Sequence, residues 1–189
     1  MRTKAVAGLG VLGLLALALS ACSSMLPSSP VNLPDYEEPT RGQHRVEVEG
    51  KLNSITGIES ASLAGGDAPN VKGNTGYAVD FRLEEGYRLA APVSLIEYTL
   101  KSVWSINDGE QPNAQISITV RGPEGSELDL PAAAELTGWI EDADSEPGSS
   151  STVIIELDGS QISQENLERL GTWPGHEPGL PLDILIPED

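Results

Sequence analysis

Three kinds of apolar pattern follow one another along the chain. Residues 5–21 are almost wholly apolar, interrupted by Gly8, Gly10 and Gly13. Residues 23–43 then carry Pro27, Pro30, Pro34 and Pro39 among Ser, Asn, Asp and Glu. Proline blocks helix at its own position and disfavours it at the residue before. Few apolar groups are available there to bury. This stretch reads as a tether, semi-rigid at ~3.1 Å per residue, so that about 20 residues reach up to roughly 60 Å. From residue 43 onward the spacing of apolar positions is that of a folded domain.

Val48, Leu52 and Ile55 fall at helical spacing and predict a helix over 41–54, although the alternation of Val46 and Val48 with charges also admits a strand start. Thr56-Gly57 ends it, and 58–63 reads as a short strand. Gly65-Gly66-Asp67 and Gly73-Asn74-Thr75-Gly76 punctuate a loop, the second cluster reading as a hairpin turn. Tyr77, Val79, Phe81 and Leu83 alternate with polar or small residues, the signature of a half-buried strand. Pro92 opens a helix over 91–106, whose stripe is Val93, Ile96, Leu100 and Val103. Ala114, Ile116, Ile118 and Val120 make a second alternating strand. Helix–strand–strand–helix–strand is the order of a ferredoxin-like α+β sandwich lacking its first strand. Such a sheet would have a gap between its last two strands, open to a later strand.

Beyond residue 121 the pattern continues. Pro131 starts a helix through Leu136 toward Trp139, an acidic loop spans 141–151, and 152–157 is a strand with Val153, Ile155 and Leu157 on one face. Ile162 and Leu167 bracket Ser163 as a staple around an N-cap, and Gly171 closes that helix. Leu182, Ile184 and Ile186 predict a last edge strand. Trp104, an acidic-proline loop and a strand ending in glycine are echoed by Trp139, a second such loop and a second such strand, suggesting a repeated helix–strand unit. The expected organisation is a leader over 1–21, a lipidated cysteine and tether over 22–42, an α+β lobe over 43–121, and an acidic α+β lobe over 122–189. The second lobe either shares a domain with the first or forms its own.

Arg2 and Lys4 precede the first apolar run, and small residues close it, as in a secretory signal. The run is shorter than the ~20 residues of a spanning helix and lacks a polar anchor beyond it. Its end, Leu19-Ser20-Ala21-Cys22, resembles the lipobox of bacterial lipoproteins. That resemblance implies a diacylglycerol on the Cys22 sulfur and cleavage between Ala21 and Cys22. One acyl chain holds a membrane marginally, at ~0.8 kcal/mol per buried methylene, whereas two or three hold firmly. The destination so implied is the outer leaflet of the cell membrane. In a Gram-negative cell it is the outer membrane, since Ser23 stands where retention at the inner membrane usually involves Asp. Gly57, Asn74-Thr75-Gly76 and Val103-Trp104 are also similar to the pattern of small lipoproteins of high-GC Gram-positive bacteria, a likeness that carries no activity with it.

Charge sharpens this picture. Of 189 residues, 29 are acidic and 11 basic; removing Arg2 and Lys4 with the leader leaves 168 residues with 9 basic ones, a net charge of −20. Such a surface repels nucleic acid and anionic headgroups, so the membrane is reached through the lipid on Cys22 alone. A single cysteine excludes an internal disulfide. Residues 122–189 hold 16 acidic residues against Arg169, which gives solubility or a face for a basic envelope protein.

Candidate chemistry is sparse. His44 lies at the tether boundary and His176 in a Gly/Pro turn, with no nucleophile elbow to serve either. One cysteine and two separated histidines do not make a zinc set. Asp142, Asp144 and Glu146 repeat every second residue as calcium-loop ligands do. Counted from Asp142, however, the sixth position is Pro147 rather than glycine and the twelfth is Val153 rather than glutamate. No cofactor is indicated. The leading expectation is a non-catalytic, protein-binding lipoprotein. A small-ligand or divalent-cation-binding module comes second, and an envelope hydrolase using His176 third.

Overall fold

A computed structural model describes residues 42–188. The leader, Cys22 and nearly all of the tether lie outside them. The architecture is α+β. In chain order the elements are α1 (Arg45–Asn53), β1 (Ile58–Gly65), β2 (Gly76–Leu83), β3 (Tyr87–Leu89), α2 (Pro92–Trp104), β4 (Gln115–Arg121), α3 (Leu130–Leu136), β5 (Ser150–Glu156), α4 (Gln161–Leu170) and β6 (Leu185–Pro187).

The main sheet runs β1-β2-β4-β5, and β3 pairs with β6 in a small second sheet. β1 and β2 form the hairpin that the glycine clusters predict. Its loop is held by Asn70, whose Oδ1 accepts from the N–H groups of Lys72 and Asn74 at 2.8 and 3.2 Å. Gly65 is required there: its φ is +97°, and a Cβ would lie 2.2 Å from the Gly76 carbonyl oxygen.

The gap expected of a ferredoxin-like order is closed. β4 lies parallel and directly beside β2, from Gly76↔Gln115 to Arg82↔Arg121, with α2 as the crossover a parallel pair needs. The later strand β5 joins outside β4, antiparallel, from Gln115↔Glu156 to Arg121↔Ser150. Strands from both expected lobes therefore share one sheet. β4 and β5, the strands of the two helix–strand units, run in opposite directions, so no simple translation along the sheet relates the units.

One face of the sheet is buried and one is open. Tyr77, Val79, Phe81, Leu83, Ile116, Ile118, Val120, Val153 and Ile155 point into a common core with Leu95, Ile96, Leu100 and Trp104 of α2. Each such side chain contributes on the order of 1.5–3 kcal/mol by leaving water. The helices cover this face, with α2 packed against α1, α3 and α4. The other face holds short or polar side chains, among them Ser62, Ala78, Asp80, Ser117, Thr119 and Thr152. Asp80 pairs with Arg121 at 2.7 Å, and the hydroxyls of Thr119 and Thr152 are 2.9 Å apart.

Several boundaries differ from the expectation. α1 starts at Arg45, because the Asp108 carboxylate accepts from the Arg45 N–H at 2.8 Å and satisfies the helix start there. α4 is capped by Ser160, not Ser163: the Ser160 hydroxyl accepts from the Ser163 N–H at 3.2 Å, and Ser163 is fully buried inside the first turn. The last strand is only Leu185–Pro187, and its partner β3 carries too short a pattern to be seen in sequence.

Candidate interaction site

The arrangement that gathers the most chemistry lies where α3, α4 and β5 meet. Asp129 caps α3 by accepting from the Ala132 N–H at 3.0 Å. The helix ends at Leu136, and Gly138, with a φ of +69°, turns the chain two residues later. That turn sends Trp139 into the core, with its N–H bonded to the Ala134 carbonyl at 2.9 Å. α4 grips this corner through two side chains. Asn166, fully buried, donates to the Trp139 carbonyl at 3.0 Å and to the Glu156 carbonyl at 3.4 Å. The Arg169 guanidinium stacks 3.5 Å from the Trp139 ring centroid and donates to the Gly138 carbonyl at 3.0 Å.

In front of Trp139 is an open cavity of about 310 Å³. Trp139, Ile140 and Ile162 form its apolar wall, Glu141 and Asp142 its acidic rim, and Ile154 and Glu156 its third side. The side chains of Ile154 and Glu156 belong to the open sheet face, whereas Trp139 and Ile162 belong to the helical layer behind it. A cavity touching both straddles the outer edge of β5. Ile154 is 47% exposed, an apolar residue standing between Thr152 and Glu156 on an otherwise polar face.

The sequence-derived candidates are placed elsewhere or do not assemble. Asp142, Asp144 and Glu146 are all exposed along the loop before β5. Among the described residues, no group of three or more His, Cys, Asp or Glu is placed to hold a metal ion. Asp142 joins the cavity rim, but its two alternating partners do not line it. His44 is the residue before α1, and its Nδ1 lies 3.3 Å from the Asp108 carboxylate. That carboxyl is partly desolvated, which works to raise its pKa, but the Arg45 N–H and the His44 side chain outweigh this and hold it below its ordinary value. His176 is exposed in its turn, 132 residues along the chain from His44, and the two do not form a pair. Trp104 and Trp139 are both buried, as core-filling tryptophans are; Trp104 donates to the Gly171 carbonyl at 3.2 Å. Cys22 lies outside the described residues. Within them, no helix is long and apolar enough to cross a membrane.

Ile154, Glu156, Ile162 and Asn166 are the site residues that sequence reasoning does not single out. The one trace is Ile154, which breaks the polar half of the β5 alternation. Comparison with protein-family models, curated proteins and solved structures finds no match to this chain.

Proposed function

We propose that this chain is a lipoprotein held at the outer surface of a membrane by lipid on Cys22, and that its folded domain is a non-catalytic module that binds a basic protein. The observation that carries the reading is Leu19-Ser20-Ala21-Cys22 at the end of the apolar run, a lipobox-like motif that holds the one cysteine of the chain. The tether after it gives the domain reach. The binding half of the proposal is supported by the acidic rim of Glu141, Asp142 and Glu156 around an apolar wall.

Mass spectrometry of the protein isolated from membranes tests the anchor. The expected mature chain begins at residue 22 and carries a diacylglycerol thioether; a bare Cys22, or an attached leader, refutes it. Cross-linking in intact cells tests the binding. A basic protein cross-linked to the wild type and lost from the Glu141→Lys/Asp142→Lys/Glu156→Lys variant supports a partner at this rim. Equal recovery with both refutes the acidic rim as its site.

A further inference from the structure

The two edges of the main sheet are treated differently by the rest of the chain. At β1 the outward backbone groups are occupied by side chains of α1. Asn53 donates to the Ala61 carbonyl and accepts from the Ala61 N–H, both at 2.7 Å, and Glu49 accepts from the Leu63 N–H at 3.2 Å. At β5 the inward groups belong to the odd residues, since the pairing is flanked by Leu157 N–H to Ala114 and Gly122 N–H to Ser149. The even residues face outward, and at both ends they are covered, Gly148 by its bridge to Leu128 and the Glu156 carbonyl by Asn166; between them the backbones of Thr152 and Ile154 face outward, and no described residue pairs with them. Natural sheets blunt such an edge with Lys, Pro, a bulge or a cover. Here the pairing is unbulged through Ser150–Glu156, and the cavity in front of Trp139 opens along the edge.

We infer that the free edge of β5 is a strand-addition site, which takes an extended segment of a partner protein carrying lysine or arginine at alternate positions. The inference rests on the protein-binding reading above and names where and how the partner is held. Backbone pairing to Thr152 and Ile154 supplies the affinity of strand addition, and the alternate side chains supply its selectivity. A long basic side chain fits the cavity in two parts. Its methylene stem lies against Ile140, Ile154 and Ile162, and its charged head reaches Glu141, Asp142 and Glu156. The charge argues against a second copy of this chain as the occupant, because it would bring the same carboxylates to the same place.

The test uses the full lipidated chain in nanodiscs and a synthetic probe, a hexapeptide of alternating Lys and Val. Hydrogen exchange is expected to slow at the Thr152 and Ile154 amides when the probe is bound. A probe N-methylated along its pairing edge keeps the charge and loses the backbone donors; it is expected to bind at least about tenfold more weakly. Ile154→Pro removes only an outward N–H, at a position where an edge strand tolerates proline, and is expected to lose the same factor. Near-ultraviolet circular dichroism checks that this variant is folded, and Ile154→Ala, which keeps the N–H, is expected to retain protection at Thr152. Equal binding of the N-methylated probe shows attraction by charge alone and overturns the inference, as does binding without protection at these amides. Concentration-dependent dimers lost in Ile154→Pro overturn it in favour of self-pairing. A cross-linked cellular partner retained by folded Ile154→Pro overturns the edge while leaving the protein-binding reading intact.

Discussion

Asn53 does the work of a missing strand. Its carboxamide presents a donor and an acceptor to one residue of β1, as a neighbouring backbone would, and it also donates to the Glu49 carbonyl at 2.9 Å. Asn53→Ala strips both groups from a partly buried edge, and leaving such groups unpaired costs about 1–3 kcal/mol. Urea denaturation is expected to show that loss, with Asn53→Asp between the two because it keeps only the acceptor; no change in midpoint would mean that water replaces the amide freely. Asp108 is a second single-residue device, tying the loop after α2 to the start of α1 through Arg45. Its folded pKa lies below the unfolded one. Its stabilisation is therefore complete above the unfolded value near ~4 and is lost as pH falls through the folded value. The stability gap between wild type and Asp108→Asn is expected to shrink on acidification from about pH 6 to about pH 2.5, and a constant gap in urea midpoints rules the mechanism out.

At the level of elements, what can be read in advance depends on how much of the pattern one face contains. β2 and β4 are legible because three or four alternate residues of each enter the core while their neighbours meet water. α2 is legible because its stripe is long enough to fill the centre of the helical layer. β3 and β6, at three residues each, exist through their pairing with one another and have no period of their own. The start of α4 misleads for a different reason. Two serines stand three apart, and Ile162 with Leu167 imitates a staple around the second, whereas the hydroxyl of the first makes the capping bond. Glycine is nearly as good a cap as serine but a poor interior residue. Ser160→Gly is therefore expected to cost a few tenths of a kcal/mol and Ser163→Gly about 1 kcal/mol or more by thermal or urea unfolding; the reverse order would restore Ser163 as the cap. The cavity is the least legible feature, since residues 139–142, 154–156 and 162 come from three segments that only the sheet order brings together.

For the molecule as a whole, the charge imbalance sets the response to salt. Six ion pairs of Lys or Arg with Asp or Glu join described residues, and all involve partly exposed partners, from Arg121 with Asp80 to Lys51 with Glu177. Exposed pairs are worth about 0–1 kcal/mol each, and salt weakens them. Against them stands the repulsion among 29 acidic residues with, once Arg2 and Lys4 leave with the proposed leader, only 9 basic ones to offset it, which salt also weakens, and over longer distances. The Debye length falls from ~30 Å at 0.01 M to ~8 Å at 0.15 M, so the many unpaired carboxylates are relieved more than the few pairs are lost. The urea midpoint is expected to rise with sodium chloride over that range; a falling midpoint would show that the pairs dominate. Calcium chloride at equal ionic strength is expected to give the same rise, because Asp142, Asp144 and Glu146 do not converge on a common point. An excess stabilisation by calcium, abolished by Asp144→Asn, would reinstate that loop as a cation site and shift the functional reading from the β5 edge to the segment just before it.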